Sequence, residues 1–154
     1  MQFVVERKSN LYKLRNTKNQ MMETTAEMKL AAAREKMALL REARQTVTKE
    51  VERLMEHNES DGLSWVGTTT DLMEALYCAF EEQSLTDDCG LPLSFMTIVK
   101  HCCVVLHVKM PRNPYNMAKK GKNRKGIKKQ SIISRTTHMP TTMSTHINYC
   151  TYEK

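Results

Sequence analysis

The sequence predicts a mainly α-helical protein in which a long N-terminal helix precedes a small domain of shorter helices. The stretch from Gln20 to His57 has no Gly or Pro and repeats apolar residues at heptad spacing. Shorter helical patterns follow it, each introduced by a residue suited to capping a helix. With 40% hydrophobic and 6% aromatic residues, the chain has material for one modest core.

Residues 1–19 are expected to be weakly structured, because they contain three Asn residues and no sustained apolar period. The long amphipathic helix is expected over residues 20–60, and its apolar seam is interrupted by Arg44 alone. Two interpretations of the seam stay open: it packs within its own chain, or it pairs with a second copy as a homodimeric coiled coil through residues 20–57. The seam positions are Ala26, Leu30, Ala33, Met37, Leu40, Arg44, Val47, Val51 and Leu54.

A turn ending at Gly62 marks the predicted domain boundary, because glycine readily takes the left-handed conformation that closes a helix. The small domain is expected over residues 61–135. It begins with an extended segment at residues 63–67 and a helix at residues 71–83, with Thr68 as a candidate N-cap. A short hairpin between Leu85 and Leu93 is a further expectation.

Ser94 is placed to cap the next helix, which should end near His107 because Pro111 cannot continue it. After a connection of five residues, Asn113 is a good N-cap and Pro114 suits the first helical position. This last helix should extend to residues 120–125, and a further turn should follow up to Arg135. Residues 136–154 hold six Thr and no usable period, so a disordered tail is expected there.

Charge is distributed unevenly along the chain. The first 88 residues carry 16 acids and 12 bases, whereas residues 89–152 carry eleven bases and no acid. Ten of those eleven bases lie between Lys109 and Arg135. Such a segment is suited to a polyanion, and nucleic acid is the leading candidate because Lys and Arg neutralise its phosphates. The alternative is a Lys-rich face that is simply solvated.

The two helices around Pro111 form a helix, a short turn and a second helix, so a helix-turn-helix or winged-helix-like domain is predicted. In that motif the N-terminal part of the second helix meets base edges, where Asn pairs with adenine and Arg or Lys with guanine. Lys and Arg side chains near that helix end contact the phosphates. The predicted DNA-binding residues are Asn113, Tyr115, Asn116, Lys119, Lys120, Lys122, Arg124, Lys125, Lys128 and Lys129.

Signatures of other functions are missing from the sequence. It contains no glycine-rich phosphate loop, no G-x-S-x-G and no H-E-x-x-H, so we expect no enzyme, no cofactor and no small-molecule substrate. Cys102 and Cys103 are adjacent and lack the spacing of zinc ligands, so no metal site is expected. The five Cys are interpreted as reduced thiols of a soluble cytoplasmic protein, since no apolar run could span a membrane.

Several short motifs resemble the C-terminal domain of RteC-type regulators from tetracycline-resistance conjugative elements. They are Trp65-Val66-Gly67-Thr68, Leu72-Met73-Glu74-Ala75-Leu76-Tyr77, the apolar helix after Ser94, Pro114-Tyr115 and Arg124-Lys125. The resemblance covers about Leu63 to Arg135. It implies a helix-turn-helix or winged-helix domain that activates transcription of an excision operon. The implied base readers are Tyr115, Asn116, Lys119, Arg124 and Lys125, with Trp65 and Gly67 structural.

The expected function is therefore sequence-specific binding of double-stranded DNA and transcriptional regulation of a mobile element. The usual N-terminal domain of the RteC-type family is not evident, and the heptad-patterned helix stands in its place. The competing interpretation is a helical interaction or scaffold protein. In that case the long helix binds partners and the basic segment anchors non-specifically to DNA or RNA.

Overall fold

A computed structural model describes residues 2–126, 129–138 and 147–149, with side chains described for residues 12–124 and 130–137. The protein is mainly α-helical and its first helix is long, which confirms this part of the predicted fold class. The helices are α1 (Gln2–Met55), α2 (Thr69–Glu82), α3 (Phe95–Val105), α4 (Pro114–Lys122) and α5 (Ile132–His138). The strands are β1 (Leu63–Trp65), β2 (Lys125–Gly126), β3 (Lys129–Gln130) and β4 (Ile147–Tyr149).

The chain divides into two compact units, of which the first ends at Ala38 and the second begins at Leu39. In the first unit, residues 2–19 belong to α1, which differs from the weakly structured N-terminus that the sequence suggested. The physical reason is that residues 2–19 contain neither Gly nor Pro, so nothing in them breaks the helix that continues to Met55. Every side chain from Tyr12 to Ala38 is exposed.

The heptad seam of α1 is used in two ways. Its C-terminal part is buried, because Val47 and Val51 are 0% exposed within the second unit. Its N-terminal part is not, since Leu30 is 52% and Met37 66% exposed. The seam therefore packs within its own chain from Val47 onwards, and the compact unit begins well before the predicted boundary at residue 61.

Arg44, which interrupts the seam, lies beside the C-terminal end of α2. Its guanidinium group donates hydrogen bonds of 3.1 Å to Glu81 and 3.1 Å to Glu82. Arg44 thus interrupts the apolar seam because this position of α1 contacts two carboxylates of α2 within the second unit.

Helix α2 is the centre of the second unit and packs against both α3 and α4. Its N-terminus is capped as predicted, because the Thr68 hydroxyl accepts a hydrogen bond of 3.1 Å from the backbone N–H of Asp71. Leu72, Leu76 and Ala79 are fully buried on its inner face. The core around them includes Val47, Val51, Leu54, Leu63, Phe95, Ile98, Val99, Cys102, Leu106, Ala118 and Ile132.

The segment between α2 and α3 folds back as the predicted hairpin, with an antiparallel bridge between Thr86 and Pro92. The carbonyl oxygen of Leu85 accepts a hydrogen bond of 2.8 Å from the N–H of Leu93. Ser94 caps α3, as predicted, by accepting from the N–H of Thr97. Helix α3 ends at Val105, so the connection to α4 spans residues 106–113 and is longer than the five residues expected.

Two antiparallel strand pairs complete the described structure. Strand β2 pairs with β3, with Lys125 opposite Gln130, and β1 pairs with β4, with Leu63 opposite Tyr149. Residues 136–138 and 147–149 therefore have regular structure, in contrast to the disordered tail expected from residue 136 onwards. Residues 139–146 and 150–154, which were part of that expectation, lie outside the described residues.

Within the described ranges, no helix combines the length and the apolar character needed to cross a bilayer.

Candidate nucleic-acid interface

The N-terminus of α4 is built as the sequence predicts. The side-chain oxygen of Asn113 accepts a hydrogen bond of 3.1 Å from the N–H of Asn116, and Pro114 occupies the first turn. Pro114, Ala118 and Gly121 are buried, at a helical spacing of i, i+4 and i+7. Because this face is directed at the core, the opposite face of α4 is left towards solvent.

Gly121 sets the distance between α4 and α2. A Cβ atom at this position would lie 2.9 Å from Glu74 Oε2 and 3.0 Å from Glu74 Cβ. Glycine is unfavourable inside a helix, by about 1 kcal/mol relative to Ala. Its presence is explained by this close approach of the two helices, which brings α4 against the N-terminal half of α2.

The outer face of α4 consists of Asn116, Lys119, Lys120 and Asn123. Their spacing of i, i+3, i+4 and i+7 places them on one side of the helix, and all four are exposed. Within the described part of the chain, neither lysine forms an ion pair. We refer to these four residues as the α4 outer face. It offers two cations and two amides. The cations can donate to phosphates, and the amides can both donate to and accept from base edges.

Tyr115, another predicted reader, is positioned mainly by the core. Its ring centroid lies 4.7 Å from that of Phe95 and 6.2 Å from that of Tyr77, in edge-to-face arrangements. The residue remains 39% exposed. It therefore joins the first turn of α4 to α2 and α3, and only part of its side chain is accessible to a ligand.

Lys122 is paired within the protein. Its ammonium group lies 2.9 Å from Glu81 Oε1 and 5.9 Å from the centroid of the Tyr77 ring. Burial alone would raise the pKa of Glu81, but hydrogen bonds from Lys122 and Arg44 outweigh it and lower this pKa. Lys122 is consequently a contact between α4 and α2, although the sequence marked it as a DNA-binding residue.

Arg124 is also directed inward, and it shares its partner with Arg135. Arg124 Nη1 lies 2.9 Å from Asp71 Oδ1, and Arg135 Nη2 lies 2.8 Å from the same oxygen. Asp71 is only 4% exposed. The two arginines stand on either side of the β2–β3 hairpin, so one buried carboxylate of α2 holds both ends of that segment. We call this arrangement the Asp71 clamp.

Glu74 holds the start of α5 in a similar way. Its Oε2 atom accepts a hydrogen bond of 3.0 Å from the N–H of Ile132, at the N-terminus of that helix. The residue is 3% exposed. Burial raises the pKa of the Glu74 carboxyl by more than the hydrogen bonds from the Ile132 and Ile133 backbone lower it. The carboxyl group is thus held in place at a desolvation cost.

Sequence reasoning missed the structural roles of Asp71 and Glu74. In the sequence, Asp71 stands only as the first residue of a predicted helix, and Glu74 only as a residue of a family motif. The available signal was their spacing, because two acids three residues apart on a helix share a face, and here that face also carries buried apolar residues.

The remaining predicted bases divide by position. Lys109 and Arg112 are exposed in the connection before α4, where they add two cations near its N-terminus in the sequence. Lys125 and Lys129 lie in the paired strands β2 and β3. Lys128 lies outside the described residues. Of the ten predicted DNA-binding residues, the structure thus gathers Asn116, Lys119 and Lys120 on one exposed face and pairs Lys122 and Arg124 with acids of α2.

Two of the buried cysteines, Cys78 and Cys102, offer little reactivity. Burial raises the pKa of Cys102 to about 12 and that of Cys78 to about 11, so both remain thiols at neutral pH. Cys78, Cys89, Cys102 and Cys103 form no disulfide. Across the described residues, no group of three His, Cys, Asp or Glu side chains is arranged to hold a metal ion.

Compared with known protein families, with curated proteins and with solved structures, the chain matches none of them. A functional interpretation therefore depends on the geometry and charge of α4 and of the segments tied to it.

Proposed function

We propose that the second unit binds duplex DNA, with the α4 outer face directed into the major groove. The observation that carries this proposal is the exposure of Asn116, Lys119 and Lys120 on one side of a helix whose N-terminus is fixed by Asn113 and Pro114. A recognition helix needs such an arrangement, because the base-reading side chains must be free while the helix itself is held.

The order of elements supports a helix-turn-helix with a wing. In this proposal α3 and α4 are the two helices of the motif, α2 braces them, and the β2–β3 hairpin is the wing. The hairpin carries Lys125 and Lys129 and follows α4 directly. The Asp71 clamp would then hold the wing relative to α2.

The proposed roles differ among the polar residues. Asn116 is assigned to base reading, since its amide can pair with both edges of adenine in the major groove. Lys119 and Lys120, together with Lys109 and Arg112 in the connection, are assigned to phosphates. Lys122 and Arg124 are assigned to positioning, because their charged groups are already paired with Glu81 and Asp71.

For the biological role we propose transcriptional regulation of a mobile element, on the basis of the resemblance to RteC-type regulators. The second candidate is an interaction protein whose long helix is the binding surface. One observation favours it: α1 exposes apolar side chains between residues 12 and 38, among them Met21, Met28, Leu30 and Met37. In that case the basic segment would anchor without sequence preference.

A comparison of two variants separates these candidates. Asn116→Ala should reduce discrimination between the preferred duplex and single-base variants, by about 1–3 kcal/mol for a lost bidentate contact. Lys120→Ala should weaken binding to all duplexes to a similar extent. The preferred duplex is found first, by selection from random DNA with the full chain.

Selection that enriches no sequence would contradict specific reading. Equal, sequence-independent losses from both variants would contradict the assignment of Asn116 and favour the anchoring interpretation.

A further inference from the structure

Between residues 12 and 38, the acids are confined to one side of α1, and the other side carries bases alone. Successive residues of an α-helix are rotated by about 100°, so Arg15, Lys18, Lys29 and Lys36 fall within an arc of about 60°. All four side chains are exposed, and within the described ranges none of them takes part in an ion pair. We call this set the basic stripe. At about 1.5 Å per residue it extends along about 32 Å of helix.

No acid interrupts the basic stripe. The positions between its members on the same face are Met22, Thr25 and Ala33, which are uncharged and exposed. The acids of this part of α1 lie elsewhere, since their helical positions are about 100° or more from that of Lys18. These acids are Glu23, Glu27 and Glu35.

Such segregation differs from the usual surface of a solvated helix, where acids and bases alternate and pair at i and i+4. A second copy of the chain is a poor occupant for this face, because parallel or antiparallel contact would bring cations of the stripe towards each other without acids between them. A line of cations on one face fits a linear polyanion instead.

We propose that the basic stripe is a second contact surface for the phosphates of duplex DNA, separate from the α4 outer face. This inference rests on the proposed function of the second unit. The length of the stripe is comparable to one turn of B-DNA, which is about 34 Å. Its cations contribute affinity without sequence preference, because phosphate contacts carry no sequence information directly.

The test compares two double variants of the full chain that remove the same number of charges from the same helix. Lys18→Gln with Lys29→Gln removes two members of the basic stripe. Lys13→Gln with Arg34→Gln removes two exposed bases whose positions lie about 140° or more from Lys18. Affinity for one duplex is measured over a range of salt concentrations, and circular dichroism checks that both variants remain helical.

The stripe variant should make the slope of log K against log salt shallower by about 1.8, since each phosphate contact contributes about 0.9. The control variant should change the slope by less than about half a unit. Equal changes in both variants, or none in the stripe variant, would overturn the inference. An acidic protein would then become the better occupant of this face.

A third variant, Lys119→Gln with Lys120→Gln, distinguishes this failure from failure of the proposed function. If it weakens binding while the stripe variant does not, the inference about α1 alone is wrong. If the Lys119/Lys120 variant also leaves affinity and slope unchanged, the proposed function of the second unit is wrong.

Discussion

At Asp71 two guanidinium groups meet one carboxylate oxygen, and three residues later Glu74 caps α5. Both acids are nearly inaccessible to solvent and lie on the face of α2 that meets the C-terminal segment. A buried charge is tolerated only where it is paired or hydrogen-bonded. The bases of residues 89–152 are therefore of two kinds. Some pair with acids of α2, and the others remain available to a ligand.

Gly121→Ala should destabilise the protein, although Ala favours helices. The added Cβ would clash with Glu74. This side chain cannot move away easily, because its Oε2 atom accepts a hydrogen bond from the N–H of Ile132. Overpacking of this kind costs about 1–3 kcal/mol, and better helix propensity returns about 1 kcal/mol. We expect a net loss of about 1 kcal/mol in the free energy of unfolding, measured by urea denaturation. Lys119→Ala on the exposed face is the control, and increased stability of Gly121→Ala would contradict the close approach.

Glu74→Gln should change how stability depends on pH. Because burial raises the pKa of Glu74 in the folded protein, the folded state favours the protonated carboxyl. The stabilisation is complete below the ordinary pKa of Glu and is lost as the pH rises through the raised folded pKa. The wild type should thus lose stability relative to Glu74→Gln as the pH rises above the ordinary pKa of Glu.

Denaturation of the two proteins at several pH values checks this prediction, because the contributions of all other groups cancel in the difference. A constant difference across this range would show that the pKa of Glu74 is the same in the folded and unfolded states.

The elements after α3 are held mainly by contacts from α2. Helix α4 meets α2 at Gly121, the β2–β3 hairpin lies between the two arginines of the Asp71 clamp, and α5 begins at Glu74. Short strands and a helix of seven residues have little stability alone. Their placement therefore depends on two carboxylates of α2 more than on their own sequence.

Asp71→Asn should loosen the hairpin selectively. The change leaves Arg124 and Arg135 without their anion, and a partly exposed pair of this kind should cost about 2 kcal/mol, less than the 3–5 kcal/mol of a fully buried one. Amide hydrogen exchange should accelerate in β2 and β3 more than in α3. The exposed substitution Asp88→Asn is the control, and unchanged exchange in the hairpin would show that the clamp does not hold it.

For the whole molecule, the net charge overstates the number of bases that a polyanion could contact. The chain carries a net charge of +7, and residues 89–152 hold eleven bases and no acid. Three of these bases, Lys122, Arg124 and Arg135, are paired with acids of α2. Lys109, Arg112, Lys119 and Lys120 are exposed, and within the described part of the chain they form no ion pair. The number of phosphate contacts should therefore depend on the number of unpaired bases and not on the number of all bases.

A salt titration of DNA binding measures that number. If about five bases of the second unit contact phosphate, these contacts should contribute a slope of about −4.5 to log K against log salt, and contacts of the basic stripe would add to it. Neutralising Lys122 should leave this slope nearly unchanged, whereas neutralising Lys119 should make it shallower by about 0.9. A flat dependence would rule out phosphate contacts as the source of affinity.

Local chemistry in the sequence was sufficient to predict α2, α3 and α4 and their starts, whereas α1 begins earlier than expected and α5 was expected only as a turn. Thr68, Ser94 and Asn113 cap α2, α3 and α4 as expected, because a capping side chain bonds to a backbone group only two or three residues away. The heptad spacing of α1 likewise marked Val47, Val51 and Leu54, which are buried, but it marked Leu30 and Met37 equally, and these are exposed. The α4 outer face also follows from the sequence, since its helical spacing is visible there.

The tertiary structure decided which half of the α1 seam is buried and which bases are free. Arg124 and Asp71 are 53 residues apart in the chain, and Ile132 and Glu74 are 58 apart. Such pairings depend on the packing of α2 against α4 and α5, which no local pattern encodes. The sequence therefore identified the basic segment, whereas the fold determined which of its charges meet the protein's own acids and which face solvent.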